Sequence, residues 1–220
     1  MPPPRVVLIP GLGASARLLD PQRAALPGVE VLGWAPPLDE ETLPSYASRL
    51  AATVETDGPV YLGGVSFGGM LATEMARLLP CRGLLLIASC LSGRAVAGWA
   101  RPAGRLLRRL PDRLFRPPRG WARLLTRVSP VSRAQAEALV GMLHEVPPGF
   151  VPWGARAICE WPGAGPLAAP LWHIHGDRDP LIPLRSVRPT RVVRGGTHLI
   201  NVTHAGEVNR FLEEALAEDA

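Results

Sequence analysis

The chain contains no lysine, so all 24 of its basic residues are arginine, against 19 acidic residues. A bias of this kind is expected of a GC-rich genome and by itself says nothing about function. The distribution is informative, because positions 94–133 hold 11 arginines and one acid, Asp112. The other 13 arginines share the chain with 18 acids. The net charge of +5 is therefore a property of one segment, and that segment predicts a surface for an anionic partner.

Cysteine is also scarce. The three cysteines, Cys81, Cys90 and Cys159, are too few for a disulfide framework, which favours a cytoplasmic protein. No zinc-binding spacing, P-loop or repeat is present, so we expect no metal and no organic cofactor. No nucleic-acid module accompanies the arginines, so we expect no nucleic-acid partner. No apolar run can cross a membrane and no signal-peptide core follows Met1, so we expect no transmembrane segment.

Strand and helix patterns alternate along the 220 residues, of which 47% are hydrophobic. This composition is sufficient for one sizeable core. The last helical pattern, 205–216, is the clearest, with apolar residues on one face. Alternation of this kind predicts an α/β fold with a mostly parallel sheet of about six strands and helices on both faces. The predicted strands lie near 5–9, 29–33, 59–63, 83–88, 170–175 and 190–194.

Ser66 lies in the run Gly-Gly-Val-Ser-Phe-Gly-Gly, directly after an apolar strand and before an apolar helix. A Gly-x-Ser-x-Gly motif in this context is typical of a nucleophile elbow, in which the chain turns sharply at the serine. Gly64 and Gly68 are expected where neighbouring backbone passes close. The turn places the N–H of Phe67 at the start of the helix, where a developing negative charge is stabilised.

A glycine-rich loop, Pro10 to Ser15, follows the first predicted strand. One interpretation is a dinucleotide- or phosphate-binding loop. Gly11-x-Gly13 lacks the third glycine of that motif, however, and no acidic residue ends the next strand. The other interpretation is a loop that donates a second N–H to the same oxyanion as Phe67.

Two further strands lead to an acid and a base. The strand before Gly176 is followed by Asp177 and Asp179, and a β-branched strand leads through two glycines to His198. A histidine is required to accept the proton of a serine nucleophile, and a carboxylate is required to orient it. Two carboxylates therefore compete as the acid. Asp177 is interpreted as a turn residue that binds nearby backbone N–H groups, so Asp179 is favoured and Asp177 stays the alternative.

The other histidines are weaker candidates for the base. His204 lies at the start of the last helix, where it is expected to cap or pack. His173 and His175 alternate with Trp172 and Ile174 along a strand and are interpreted as buried near the core. The role of His144 stays open.

With these motifs the sequence resembles the α/β-hydrolase superfamily over roughly residues 5–92 and 165–218. It is most similar to small carboxylesterases, among them those that cleave the methyl ester of pimeloyl-acyl-carrier-protein. The resemblance implies an α/β-hydrolase fold and a Ser66, Asp179, His198 triad in the order of that family. It also implies that Leu12 supplies the second oxyanion N–H. Pro10-Gly11 stands where many relatives have His-Gly.

Residues 93–164 interrupt the alternation and are rich in Pro, Arg, Trp and Leu. We expect them to form a small helical cap inserted into a core of residues 1–92 and 165–220. Three amphipathic stretches, 105–114, 121–128 and 132–143, predict its helices, the last with Ser132 as N-cap. Arg105, Arg108 and Arg109 are predicted to contact the anionic part of a substrate, because arginine binds phosphate and carboxylate in a bidentate manner.

These features predict a serine hydrolase that cleaves small-molecule carboxylic esters or thioesters, with an acyl group that an acyl carrier protein or CoA presents. A serine nucleophile argues against haloalkane dehalogenation. Amidase, C–C hydrolase and lyase chemistry on the same triad are alternatives, because a fold does not fix a reaction. A hydrolase fold that only binds a ligand is a further alternative, against which the complete triad argues.

Overall fold

The computed structural model of the protein describes residues 5–55, 57–98, 114, 116–128 and 131–217. Six strands form one sheet in the order β2-β1-β3-β4-β5-β6, and every pair is parallel. The predicted strands are confirmed within two residues at each end. They are β1 (Val6–Ile9), β2 (Val29–Val31), β3 (Val60–Val65), β4 (Cys81–Ile87), β5 (Leu171–Gly176) and β6 (Arg191–Val193).

Eight α-helices lie in the described part of the chain, most of them in the crossovers that parallel strands require. Ser132 caps the fifth of these helices, and its hydroxyl accepts a hydrogen bond from the N–H of Gln135, as the sequence predicts. The helices are α1 (Asp20–Ala25), α2 (Leu43–Ala51), α3 (Phe67–Met75), α4 (Ala122–Val128), α5 (Arg133–Met142), α6 (Phe150–Glu160), α7 (Ile200–Thr203) and α8 (Ala205–Ala217).

Helices cover both faces of the sheet, because successive side chains of a strand point to opposite faces. Val7 and Ile9 of β1 belong to a buried cluster with α2, α3 and α6. Val6 and Leu8 belong to a second cluster with α1 and α8. The sheet is thus the middle of three layers, and the carboxyl ends of all six strands lie at one edge.

The segment predicted as a cap contributes α4, α5 and α6. Helices α4 and α5 share a small apolar cluster that includes Ala122 and Ala136. Helix α6 buries Phe150 and Trp153 against Phe67 and other aromatic rings of the main core. Arg105, Arg108 and Arg109 lie outside the described residues, as does nearly all of the predicted stretch 105–114.

Within the ranges given above, no helix combines the length and the apolar character that crossing a membrane requires.

Candidate active site

Ser66 occupies the turn between β3 and α3 with φ 53° and ψ −116°, a conformation that a non-glycine residue rarely adopts. The turn is tight on both sides. A Cβ on Gly64 would lie 2.6 Å from the carbonyl oxygen of Ile9, and a Cβ on Gly68 would collide with the carbonyl oxygens of Ile9 and Pro10. Only glycine therefore fits at these two positions, and the close contact fixes the strained turn.

The backbone of Ser66 is bound on both sides. Its N–H donates to the carbonyl oxygen of Ile87 (2.9 Å), and its own carbonyl accepts from the Ser89 hydroxyl (2.6 Å). Ser89 is fully buried. The sequence did not predict this residue, although a polar side chain directly after an apolar strand is a signal for it. Ser89 therefore helps to hold the turn at Ser66 in place.

His198 lies between Ser66 and Asp179. Its Nε2 is 2.8 Å from the Ser66 Oγ, and its Nδ1 is 2.7 Å from the Asp179 Oδ2. The loops after β5 and β6 supply Asp179 and His198, and the turn after β3 supplies Ser66. The structure thus brings the three predicted residues together at the carboxyl edge of the sheet.

Asp179 is the buried carboxylate of this loop, with 5% of its surface exposed. Its Oδ1 accepts hydrogen bonds from the N–H groups of Leu181 (2.8 Å) and Ile182 (2.9 Å). Asp177 instead accepts from the N–H of Gly195 (2.7 Å). The geometry therefore favours Asp179 over Asp177 as the partner of His198.

The charge state of Asp179 follows from these contacts. Burial alone would raise the pKa of the Asp179 carboxyl. The hydrogen bond and charge of His198, together with the N–H of Ile182, outweigh burial and lower that pKa below its ordinary value. The carboxylate is thus ionised at neutral pH, as a group that orients an imidazole must be.

Two of the other histidines have partners outside the set of Ser66, His198 and Asp179. The His204 Nδ1 is hydrogen-bonded to the Thr203 hydroxyl (2.9 Å), and the His144 Nε2 lies 3.1 Å from the carbonyl oxygen of Pro117. His173 and His175 are buried, as expected for residues near the core. The sequence did not predict that the His175 Nε2 lies 3.4 Å from the Asp179 Oδ2.

The predicted oxyanion donors lie on two segments in close contact. Phe67 is the first residue of α3, so its N–H has no acceptor within the helix. A Cβ built on Gly11, the residue before Leu12, would lie 3.8 Å from the Ser66 Cβ, which places the loop of Leu12 beside the nucleophile. In the described residues, neither the Leu12 N–H nor the Phe67 N–H donates to a backbone carbonyl.

Two contacts hold the loop of residues 10–15. The Trp34 Nε1 donates to the carbonyl oxygen of Ala14 (2.6 Å). The Ser15 hydroxyl donates to the Glu145 carboxylate (2.5 Å), which also pairs with Arg17 (2.7 Å). Glu145 thereby links the segment predicted as a cap to the loop that carries Leu12.

Apolar side chains of residues 93–164, the segment predicted as a cap, cover the loop of residues 10–15. A Cβ on Gly13 would lie 2.8 Å from the Leu143 Cδ2 and 3.6 Å from the Val151 Cγ2. A Cβ on Gly154 would collide with the Leu12 side chain. The side chains that cover the loop of Leu12 are therefore apolar.

This arrangement is suited to proton transfer from a hydroxyl to an imidazole beside two N–H donors. No group of three or more His, Cys, Asp or Glu side chains in the described ranges is arranged to hold a metal ion.

Comparison with known proteins identifies the family of the chain. The sequence profile of the Alpha/beta hydrolase family matches residues 6–211. The chain belongs to the alpha/beta hydrolase family. None of the functionally curated proteins matches the sequence.

Solved structures share the fold at low sequence identity. A thermophilic esterase from Thermogutta terrifontis is 20% identical, with a TM-score of 0.71, 98% of this chain covered and 90% of that chain. The enol-lactonase from Burkholderia xenovorans LB400 is 16% identical, with a TM-score of 0.76 and coverages of 99% and 92%. The N-acyl homoserine lactonase AidH is 16% identical, with a TM-score of 0.72 and coverages of 97% and 88%.

Proposed function

We propose that this protein is a serine hydrolase that cleaves carboxylic esters or thioesters through an acyl-enzyme. The observation that carries the proposal is the continuous row of hydrogen bonds from Ser66 through His198 to Asp179, with distances of 2.8 Å and 2.7 Å. A serine hydroxyl is a weak nucleophile at its ordinary pKa, and an adjacent, oriented base is what activates it.

In the first half of the reaction, the Ser66 Oγ attacks the acyl carbonyl while the His198 Nε2 takes the hydroxyl proton. The tetrahedral intermediate then collapses, and His198 returns that proton to the leaving alkoxide or thiolate. In the second half, His198 takes a proton from water as the water attacks the acyl-enzyme. The carboxylic acid departs, and the Ser66 hydroxyl is regenerated.

The N–H groups of Leu12 and Phe67 are the proposed donors to the oxyanion. Removal of one such donor typically costs ~3 kcal/mol of transition-state stabilisation. Support for Phe67 comes from its place as the first residue of α3. Support for Leu12 comes from the close approach of its loop to Ser66 and from the contacts that Trp34 and Glu145 make with that loop.

The substrate we propose has an apolar group next to the scissile carbonyl, because Leu143 and Val151 cover the loop that carries Leu12 with apolar side chains. The structural neighbours include enzymes named as an esterase and as lactonases, and a lactone is a cyclic ester. They support ester cleavage in general.

A finer proposal is that the acyl group is presented on an anionic handle, as in the carboxylesterases that act on pimeloyl-acyl-carrier-protein. The excess of arginine in residues 94–133 supports it, with Arg105, Arg108 and Arg109 as the contact residues. Cys81 and Cys90 are free thiols, which supports a cytoplasmic location for this reaction.

The decisive experiment treats purified protein with a fluorophosphonate, which reacts covalently with an activated serine. We expect one equivalent to attach at Ser66 in the wild type and none in Ser66→Ala. A panel of p-nitrophenyl esters of graded acyl length, with lactones, acyl-CoA thioesters and amides beside them, then assigns the substrate class. A folded wild type that does not react with the fluorophosphonate contradicts the proposal and favours a protein that only binds its ligand.

A further inference from the structure

Two buried histidines lie directly behind the proposed acid. His173 and His175 are two positions apart on β5, so both point to the same face of the sheet. They are 2% and 0% exposed. The His173 Nε2 lies 3.2 Å from the His175 Nδ1, and the His175 Nε2 lies 2.8 Å from the carbonyl oxygen of Ile182 and 3.4 Å from the Asp179 Oδ2. The mechanism proposed above uses neither histidine.

The neighbours of His175 determine where its proton lies. A neutral imidazole has one N–H donor and one lone pair. The His175 Nε2 faces only acceptors, the Ile182 carbonyl and the Asp179 carboxylate, so the proton is on Nε2. The Nδ1 then has the lone pair, and His173 donates to it from Nε2. The two rings form a row of donors that ends at the Ile182 carbonyl, and the Asp179 Oδ2 lies 3.4 Å from the same His175 Nε2.

We propose that His175 is a positioning residue for Asp179, and that His173 fixes the tautomer in which it does so. The proposal rests on the proposed function of Asp179 as the acid of the triad. Ile182 connects the two residues. Its N–H donates to the Asp179 Oδ1, and its carbonyl oxygen accepts from the His175 Nε2. His175 thus closes the loop of residues 179–182 against β5.

The same N–H also acts on the charge of Asp179. The Oδ2 faces both the His198 Nδ1 (2.7 Å) and the His175 Nε2 (3.4 Å). A second N–H beside the Oδ2 draws part of its negative charge away from the His198 imidazolium that forms during the reaction. We therefore expect His175 to extend the activity of the enzyme toward acidic pH.

The groups around the pair keep it uncharged at neutral pH. Burial and the neighbouring His175 lower the pKa of His173 to about 3, against a weaker effect of the Ser89 backbone. Burial lowers the pKa of His175, although Asp179 and the Ile182 carbonyl oppose it and His198 adds to it. Burial also raises the pKa of the Cys90 thiol to about 12. Asp179 is then the ionised group of this cluster.

The kinetic test compares His175→Phe with His175→Gln. Phe keeps the volume of a ring but has no donor, whereas the Gln amide nitrogen replaces Nε2. We expect kcat to fall about tenfold in His175→Phe, the equivalent of one charge-assisted hydrogen bond, with KM little changed. We also expect the acidic limb of the kcat/KM profile to move to higher pH, and both effects to be largely reversed in His175→Gln. Equal effects of Phe and Gln, or an unmoved acidic limb, would overturn the proposal.

A second measurement does not depend on activity. In protein labelled with ¹⁵N-histidine, NMR reports which ring nitrogen carries the proton. We expect Nε2–H for His175, and a downfield proton of the His198 Nδ1 that shifts in His175→Phe but not in the control His204→Gln. A His175 protonated on Nδ1 instead would overturn the inference. An inactive wild type with the expected tautomer would contradict the proposed function alone.

If His175→Phe does not fold, His173→Leu tests the same row of hydrogen bonds at its other member, which contacts His175 rather than Asp179. Without its donor, the Nε2–H tautomer of His175 is expected to be stabilised less, and the acidic limb is expected to move in the same direction by a smaller amount. An acidic limb identical to that of the wild type in a folded His173→Leu would contradict the proposal.

Discussion

The Asp179 carboxylate lies 2.7 Å from the His198 Nδ1, although the two residues follow different strands and are 19 positions apart. The contact follows from the parallel arrangement of β5 and β6. Both strands end at the same edge of the sheet, so the loops that follow them meet there. Ser66 reaches the same edge from β3, and the three side chains meet without a long loop.

The first prediction distinguishes the two acids of this loop. We expect Asp179→Asn to reduce kcat by several orders of magnitude, because the asparagine amide stabilises the wrong tautomer of His198. Asp177→Asn is the matched control, since Asp177 binds only the N–H of Gly195 among the contacts of its carboxylate in the described residues. It is expected to change kcat by less than about threefold. Steady-state kinetics on one p-nitrophenyl ester decide, and the reverse result would identify Asp177 as the acid.

The second prediction concerns the close packing of the turn at Ser66 against the backbone of Ile9 and Pro10. Gly68→Ala places a methyl group against the carbonyl oxygens of Ile9 and Pro10, so we expect a large loss of stability and of activity. Gly141→Ala is the matched control, because it also lies within a helix but has open space around its Cβ. Its free energy of unfolding is expected to rise by about 0.5–1 kcal/mol. Thermal and urea unfolding measure both, and a Gly68→Ala as stable as the wild type would contradict the close contact.

Local patterns were sufficient to predict much of the fold. The apolar strands, the turn at Ser66 and the glycines before His198 are each encoded in fewer than ten consecutive residues, and the parallel order follows from their alternation with helices. The contacts of Ser89 with Ser66 and of His175 with Asp179 depend instead on tertiary structure. A buried polar residue on a strand indicates that it has a partner, but the sequence does not say which.

The segment 93–164 shows another limit of sequence patterns. Its last helix, α6, has the same amphipathic character as a cap helix, yet Phe150 and Trp153 pack into the main core beside Phe67. Amphipathicity predicts that a helix covers an apolar surface. It does not distinguish the core of the sheet from the entrance of a pocket.

The third prediction is a loss of stability at mildly acidic pH. The pKa of His173 is lowered to about 3 in the folded protein, against 6.5 for an ordinary histidine, and that of His175 is also lowered. Below pH 6.5 the unfolded chain therefore binds protons that the folded protein does not, so stability falls as pH falls. His173 contributes about 1.4 kcal/mol per pH unit within that window, and the lowered pKa of His175 adds to the loss in the same direction. The lowered pKa of Asp179 adds to the loss only below about pH 4.

Urea unfolding at pH 6.5 and pH 5.0 measures this effect. We expect the wild type to lose at least about 1.5 kcal/mol between the two values, and His173→Gln to lose less. A free energy of unfolding that is constant over this range would mean that the two histidines titrate normally.

The fourth prediction concerns the contact of Glu145 with the loop of Leu12. Glu145→Gln weakens the bonds to Ser15 and Arg17, both of which lie at the surface with Glu145 itself exposed, so we expect the free energy of unfolding to change by less than about 1 kcal/mol. We expect kcat to fall several-fold, because the loop that presents the Leu12 N–H is held less firmly. Glu137→Gln is the control, since Glu137 pairs with Arg133 on α5 instead. Equal kinetics of the two variants would show that Glu145 does not position the loop.

The last prediction tests the basic segment. If residues 94–133 attract an anionic handle, kcat/KM for an acyl-CoA or acyl-carrier-protein substrate falls steeply with salt, because screening weakens the attraction. A small neutral ester cleaved by the same Ser66 is nearly indifferent to salt. Reversal of charge in the triple variant Arg105→Glu, Arg108→Glu, Arg109→Glu lowers kcat/KM for the charged substrate and spares the neutral one.

The matched control for that variant changes the net charge equally but elsewhere, with Arg185→Glu, Arg188→Glu and Arg210→Glu, three exposed arginines outside the segment. If attraction depends on net charge alone, both triple variants lose the same activity on the charged substrate. If the segment is a docking surface, only the first variant does, and its remaining kcat/KM no longer depends steeply on salt. Equal salt dependence of the wild type toward charged and neutral substrates would reduce the segment to a solvated arginine-rich surface, since electrostatic steering acts on one substrate only.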